Sequence, residues 1–243
     1  MNNKLTLLFV TLIAIIGLYS FPPIAQDPTY HHFADQRTLF HVAHFFDVFS
    51  NSLFIIFGIM GLSFCRSNIF SMRGEKIVWI TLFLGSILVG LGSGYYHLNP
   101  NNKTLVWDRL PMTIVFMSFF SLILMERLKA SVVIFPLLLI VGIVSVFYWQ
   151  AVGDLRLYAL VQFLPLLLIP LLLWLFPARY DGIRYLAYAF CWYLLAKVCE
   201  HFDRAIFTFT DHFLSGHTLK HLTASMAIYS LLLWVKKRTP LQK

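Results

Sequence analysis

The chain is poor in charge: only 12% of its 243 residues are Asp, Glu, Lys or Arg, about half the fraction found in soluble domains. That scarcity excludes an ordinary soluble domain wrapped in a charged shell. Cysteine is scarce too. Cys65, Cys191 and Cys199 are odd in number and lie in or against apolar runs, which argues against a disulfide framework and for small buried apolar side chains. No H-E-x-x-H occurs, so the helical metalloprotease signature is missing. Strand-like alternation, internal repeats and low-complexity tracts are also lacking, which points away from β-rich and repeat architectures.

What the chain has in abundance is apolar length. It is 59% hydrophobic, with a mean hydropathy of +0.74. Apolar runs lie near residues 4–20, 45–64, 76–97, 105–126, 131–149, 157–176, 183–202 and 216–235. Each approaches the roughly 20 residues that carry an α-helix across about 30 Å of hydrocarbon. The expectation is an all-α polytopic membrane protein made of one integral membrane domain.

The net charge of +8 is a matter of topology. Lys4, Arg66, Arg73, Lys76, Arg127, Lys129, Arg179, Arg184, Lys236, Lys237, Arg238 and Lys243 fall on one set of alternate connections. Arg37, Lys103, Arg109, Arg156 and Arg204 fall on the other, while Lys197 and Lys220 lie inside spans. Twelve cations against five is a positive-inside pattern that places both termini in the cytoplasm. It implies no nucleic-acid partner. All nine histidines (His31, His32, His41, His44, His97, His201, His212, His217 and His221) then fall near the outer face, so the chemistry is expected there.

Residues 1–22 read as a retained signal-anchor helix, stopped by Pro22-Pro23 and without a small-x-small cleavage site, with a cleaved signal peptide as the alternative. Residues 23–44 are polar, aromatic and histidine-rich, an outer interfacial segment resting on headgroups. Within it Asp27, His31, His32 and Asp35 are chemically capable groups. Residues 45–238 hold the remaining seven helices. At the start of that region Asp47, Ser50 and Asn51 share one helix face, which should turn inward in lipid to hydrogen-bond other helices or line a site entrance. Pro136, Pro165 and Pro170 predict kinks. Trp79, Trp174 and Trp234 near the inner boundary, and Trp107 and Trp149 near the outer one, read as membrane anchors.

The polar residues that matter sit at the span ends. His97 closes the third span as G-S-G-Y-Y-H, with Ser93 one turn deeper on the same face and Gly90, Gly92 and Gly94 allowing close helix approach. Asp108 follows in the first turn of the fourth span, in D-R-L-P-M. Glu200, His201, Asp203 and Arg204 emerge from the seventh span, and His217 and His221 stand one turn apart at the start of the last. Intramembrane polar groups are costly and mark function. Three neutral imidazoles with an open fourth position form a standard zinc arrangement for activating water.

The order S-x-x-x-H, D-x-L-P-M and H-x-x-x-H resembles the alkaline ceramidases, within the wider superfamily of seven-helix hydrolases that includes the progestin and adiponectin receptors. The resemblance spans about residues 44–235 and implies a seven-helix ceramidase-like bundle, here with one extra N-terminal transmembrane helix. It implies that His97, His217 and His221 bind zinc, with Asp108 and Ser93 beside the water that zinc activates. It also implies cleavage of the amide bond of ceramide or a related N-acyl lipid, the membrane lipid being the partner. The chain departs from the ceramidases at Arg109, where Asp-Glu is typical before Leu-Pro-Met. It also offers no residue-by-residue match to their acidic D-W-C-E calcium motif, so calcium has no motif to support it. Two other readings stay open: a metal-stabilised receptor or scaffold without turnover, in which a group such as Asp203 fills the fourth position, and a transporter.

Overall fold

The computed structural model describes residues 2–67 and 70–241; Lys243, one of the cations counted above, lies outside them. Among the described residues the regular structure is helical. The elements are α1 (Asn3–Tyr19), a 3-10 turn (Pro28–His31), α2 (Phe45–Ser50), α3 (Ser52–Phe64), α4 (Glu75–Leu98), α5 (Asn102–Leu128), α6 (Ile134–Val152), α7 (Arg156–Leu175), α8 (Ile183–His201), α9 (Asp203–Phe209) and α10 (Gly216–Lys237). The protein is thus an all-α polytopic membrane protein.

Five segments have both the length and the apolarity of a span: α2 with α3, α4, α5, α6 and α7. Helix α1 is apolar but shorter, at 17 residues. Helices α8 and α10 are long enough, with 19 and 22 residues, yet they carry Arg184, Lys197 and Glu200 in one case and His217, Lys220 and His221 in the other. Part of that polarity belongs to residues of the site, and part, Arg184, Lys236 and Lys237, to the opposite helix ends.

Helix α5 is the axis of one half of the bundle, flanked by α4, α6 and α7, while α10 packs on α8 and α3. Helix α1 buries no residue of its own and lies along α7. Helices α7 and α8 follow one another in the chain with their backbones apart, bridged by a hydrogen bond from Gln162 to the Tyr193 hydroxyl at 2.9 Å. A strict small-residue contact joins α4 to α5: a Cβ at Gly92 would lie 2.0 Å from the carbonyl oxygen of Trp107. Glycine there lets α5 come close enough to place Asp108 beside Ser93. Gly94 needs no such freedom, since a Cβ there would meet only Val48 at 4.0 Å.

The structure differs from the sequence expectation in two places. Helix α5 starts one turn early, at Asn102, because Asn101 and Thr104 form a reciprocal capping box that satisfies the first free N–H groups. Asp108 therefore lies in the second turn, buried, and is no N-terminal dipole partner. The tryptophans also divide. Trp107 and Trp174 are exposed as anchors should be, whereas Trp79, Trp149 and Trp234 are buried. Trp79 and Trp234 pack together and cover a buried ion pair of Glu75 with Arg238. Trp149 lies under the Arg109 guanidinium, 4.2 Å from ring centroid to carbon. Buried charge needs partners and cover, and an indole supplies both an N–H and a π face.

Candidate metal centre and its cavity

The first turns of α10 carry two of the three imidazoles and are anchored from three sides. Ser215 caps the helix by accepting the N–H of Thr218 at 3.0 Å. The Asp47 carboxylate of α2 accepts the Thr218 hydroxyl at 2.7 Å. Asp203, opening α9, accepts the His217 N–H at 2.8 Å. Gly216 makes the approach feasible, since a Cβ there would lie 2.3 Å from the carbonyl oxygen of Cys199 and 2.6 Å from Cα of Asp203.

Helix α4 brings His97 to the same place. The Nε2 atoms of His97 and His217 are 3.3 Å apart, and one ligand atom from each of His97, His217 and His221 fits within 4.8 Å of the others, all three side chains being buried. This triad is able to hold a metal ion. Its third member is oriented by α2: Ser50 Oγ donates to the backbone carbonyl of Asp47 at 3.1 Å and stands 2.8 Å from His221 Nδ1. For Nε2 to keep the lone pair a metal requires, Nδ1 carries the hydrogen, and Ser50 Oγ, donating to that carbonyl, stands where it accepts it. Asn51 stands at 3.3 Å from the same nitrogen.

Residues 23–44 close the centre on one side. Phe33 is 3% exposed, with its ring centroid 4.7 Å from that of His97 and 4.4 Å from that of His217. The segment is strapped down by polar contacts. Asp203 Oδ2 accepts the Ala34 N–H at 2.9 Å, Arg204 donates to the His32 carbonyl at 3.2 Å, and His31 bridges Tyr96 and Asn102 at 2.8 and 2.9 Å. Burial alone would raise the pKa of Asp35. The hydrogen bonds from Arg37 through Nε and Nη2 at 2.9 and 2.6 Å outweigh it and hold the carboxyl below its ordinary value. Asp27, Asp35, His31 and His32 do not join the triad: Asp27 caps the 3-10 turn through the Thr29 N–H, and the others hold the strap.

On the other side the triad opens into a cavity of about 550 Å³, walled mainly by apolar side chains of α5, α7, α8 and α10. Ser93, Asp108 and His221 form part of its polar end, with Ser93 against the Asp108 carboxyl. Asp108 is thus outside the group of ligand atoms and shares the cavity with one of their side chains, His221. Pro165 and Pro170 of α7 and Ile183 of α8 lie on the cavity wall, where the two helices are bridged by Gln162 and Tyr193 rather than packed backbone to backbone.

A family model described as Ceramidase matches residues 35–242. The chain belongs to the ceramidase family. Curated proteins offer no match to set beside it. The matched region begins in the strap, at Asp35, and takes in every helix from α2 to α10; α1 lies outside it. All three imidazoles, Ser93, Asp108 and the cavity thus fall within the part of the chain that carries the ceramidase family's signature.

Several contributors were not legible as such. Ser50 was visible as a polar residue on an inward face, but the sequence did not name His221 as its partner. Phe33 had no signal at all among the aromatics of its segment. Glu200 was seen at the right level, though its two lysine partners were not.

Proposed function

We propose that the chain is a zinc-dependent intramembrane hydrolase that cleaves the amide bond of ceramide or a related N-acyl lipid. The observation that carries the reading is the meeting of a buried three-histidine cluster with an acid and a hydroxyl at the polar end of an apolar, lipid-sized cavity. The donor set suits zinc: three imidazoles, one of them with Nδ1 on Ser50 and Nε2 left to donate. Zinc, when bound, supplies a Lewis acid that polarises a carbonyl and acidifies a water.

The residues do the rest. Asp108 accepts a proton from the attacking water and delivers it to the amine nitrogen as the carbon–nitrogen bond breaks, giving a fatty acid and a free amine. Ser93 donates a hydrogen bond to the oxygen on which negative charge develops, a kind of contribution typically of about 3–4 kcal/mol. Acyl chains lie along the apolar walls. Phe33 shields the histidines from bulk water. In this reading residues 1–22 are a signal anchor and 45–238 the hydrolase domain, with both termini cytoplasmic and the centre near the outer face, as the distribution of Lys and Arg favours.

The scaffold reading needs a protein group to complete the metal's coordination. Asp203 supplies no atom to the group formed by the three histidines, its two oxygens being turned to the N–H groups of His217 and Ala34. The deciding experiment pairs metal content with turnover. Asp108→Asn should keep about one zinc per chain and lose roughly 100- to 10,000-fold in turnover, while the double variant His217→Ala/His221→Ala should lose the metal. Unchanged turnover in Asp108→Asn would remove Asp108 from the mechanism, and a folded wild-type protein without metal would end the hydrolase reading.

A further inference from the structure

The cavity is apolar except at its head, and there the chain places two lysines that the chemistry above leaves unused. Lys220 directly precedes the ligand His221 on α10, and Lys197 lies on the facing helix α8; both line the cavity with Asp108 and Ser93. The two ammonium groups converge on one carboxylate. Lys220 Nζ and Lys197 Nζ each lie 2.7 Å from an oxygen of Glu200, which also accepts the Tyr30 hydroxyl at 3.4 Å. The Lys220 side chain is only 14% exposed.

An ammonium carries three N–H donors, and each of these gives one contact to Glu200. Among the described residues no other acceptor bonds either of them. Lys197 otherwise meets the rings of Phe163 and Tyr193, at 5.9 and 5.8 Å. Charged donors left unsatisfied in an apolar chamber are costly, and a ligand acceptor offsets that cost.

We infer that Lys220 and Lys197 form a subsite for a carboxylate carried on the amine side of the scissile amide, so that among amides of one acyl chain an N-acyl amino acid is preferred over its neutral counterpart. The inference rests on the hydrolase reading for its location and deepens it by naming the substrate class. The acyl chain takes the apolar walls. Only the substituent on the amide nitrogen then remains at the polar end, and Lys220 is one residue from a metal ligand. A carboxylate on the carbon bonded to that nitrogen meets the ammoniums while the carbonyl faces Asp108 and Ser93. The lysines act here as specificity-determining residues and take no part in bond breaking.

The test uses two amides of the same acyl chain, N-oleoylglycine and N-oleoylethanolamine, with the full-length zinc-loaded protein in mixed micelles. Wild type should cleave the anionic amide with a kcat/KM roughly ten- to a hundredfold higher, the scale of one charged hydrogen-bonded contact. Lys220→Met should erase most of that preference through KM, with the rate on N-oleoylethanolamine per bound zinc near wild type, and Lys220→Arg should retain it. Equal wild-type rates on the two amides, or an equal loss on both in Lys220→Met, would overturn the proposal. If neither amide is cleaved by zinc-replete protein, the hydrolase reading fails by itself. Equilibrium binding of the same two lipids then decides: tighter binding of N-oleoylglycine, lost in Lys220→Met and in Lys197→Met, supports the subsite, and equal binding overturns it.

Discussion

Ser50→Ala is the most informative single change, because it touches no metal and no substrate. Ser50 donates to the Asp47 carbonyl at 3.1 Å and stands 2.8 Å from His221 Nδ1, where it accepts that nitrogen's hydrogen. Alanine removes that acceptor and leaves the N–H only the Asp47 carbonyl, which already accepts from Asn51 at 2.7 Å. Asn51 presents its amide nitrogen, a donor already held by the Asp47 carbonyl at 2.7 Å, and so is no replacement. A buried unsatisfied donor costs about 1–3 kcal/mol, and each 1.4 kcal/mol is about tenfold in affinity. Zinc affinity should therefore fall roughly 5- to 150-fold, in the range seen when a partner that orients a metal-binding histidine is lost. The measurement is a competitive titration against a chromophoric chelator, with Ser50→Thr as the variant that keeps the hydroxyl. Affinity within twofold of wild type in Ser50→Ala would refute the tautomer argument, and an equal loss in Ser50→Thr would assign the effect to packing instead.

Three further outcomes follow from the geometry. Gly216→Ala should lower the unfolding temperature and zinc occupancy together, because its methyl would meet backbone atoms at 2.3 and 2.6 Å and overpacking costs about 1–3 kcal/mol; an unchanged melting curve would contradict the close approach. Phe33→Ala should speed the stripping of metal by a chelator in stopped-flow mixing, since that ring covers two of the imidazoles, whereas an unaltered rate would deny it a covering role. Asp35 has its pKa depressed in the folded chain, so its contribution to holding the strap is present above the unfolded carboxylate value of about 3.9 and is lost as pH falls through the lower, folded value. Hydrogen exchange of residues 33–44 should accordingly accelerate only below about pH 4, and acceleration already at pH 6 would point to a histidine instead.

The span pattern was legible because apolar length is a direct physical demand of the bilayer, and the order of polar residues at the span ends set three histidines at one level. Pairing within that level was not legible. Nothing in F-F-D-V-F-S-N says that Ser50 faces His221, since such contacts depend on how α2 and α10 rotate about their axes. Trp79 and Trp234 looked like anchors because belt position and core position are equivalent in a linear sequence; the ion pair that draws them inward joins residues 163 positions apart. Lys220 read as a charge inside a span, and only the fold gives it a carboxylate on one side and an apolar chamber on the other.

Asp203 has a consequence beyond its role as an anchor. One carboxylate grips the backbone of His217 and the backbone of Ala34, so the ligand helix and the strap that carries Phe33 share a fastening. Reciprocity then applies: whatever occupies the histidines and steadies α10 must also make the strap harder to lift, and lifting the strap must weaken the occupant by the same factor. Loss of the occupant and opening of the outer segment become one coupled event, and a protease or antibody directed at residues 33–44 would register the state of a centre it never touches.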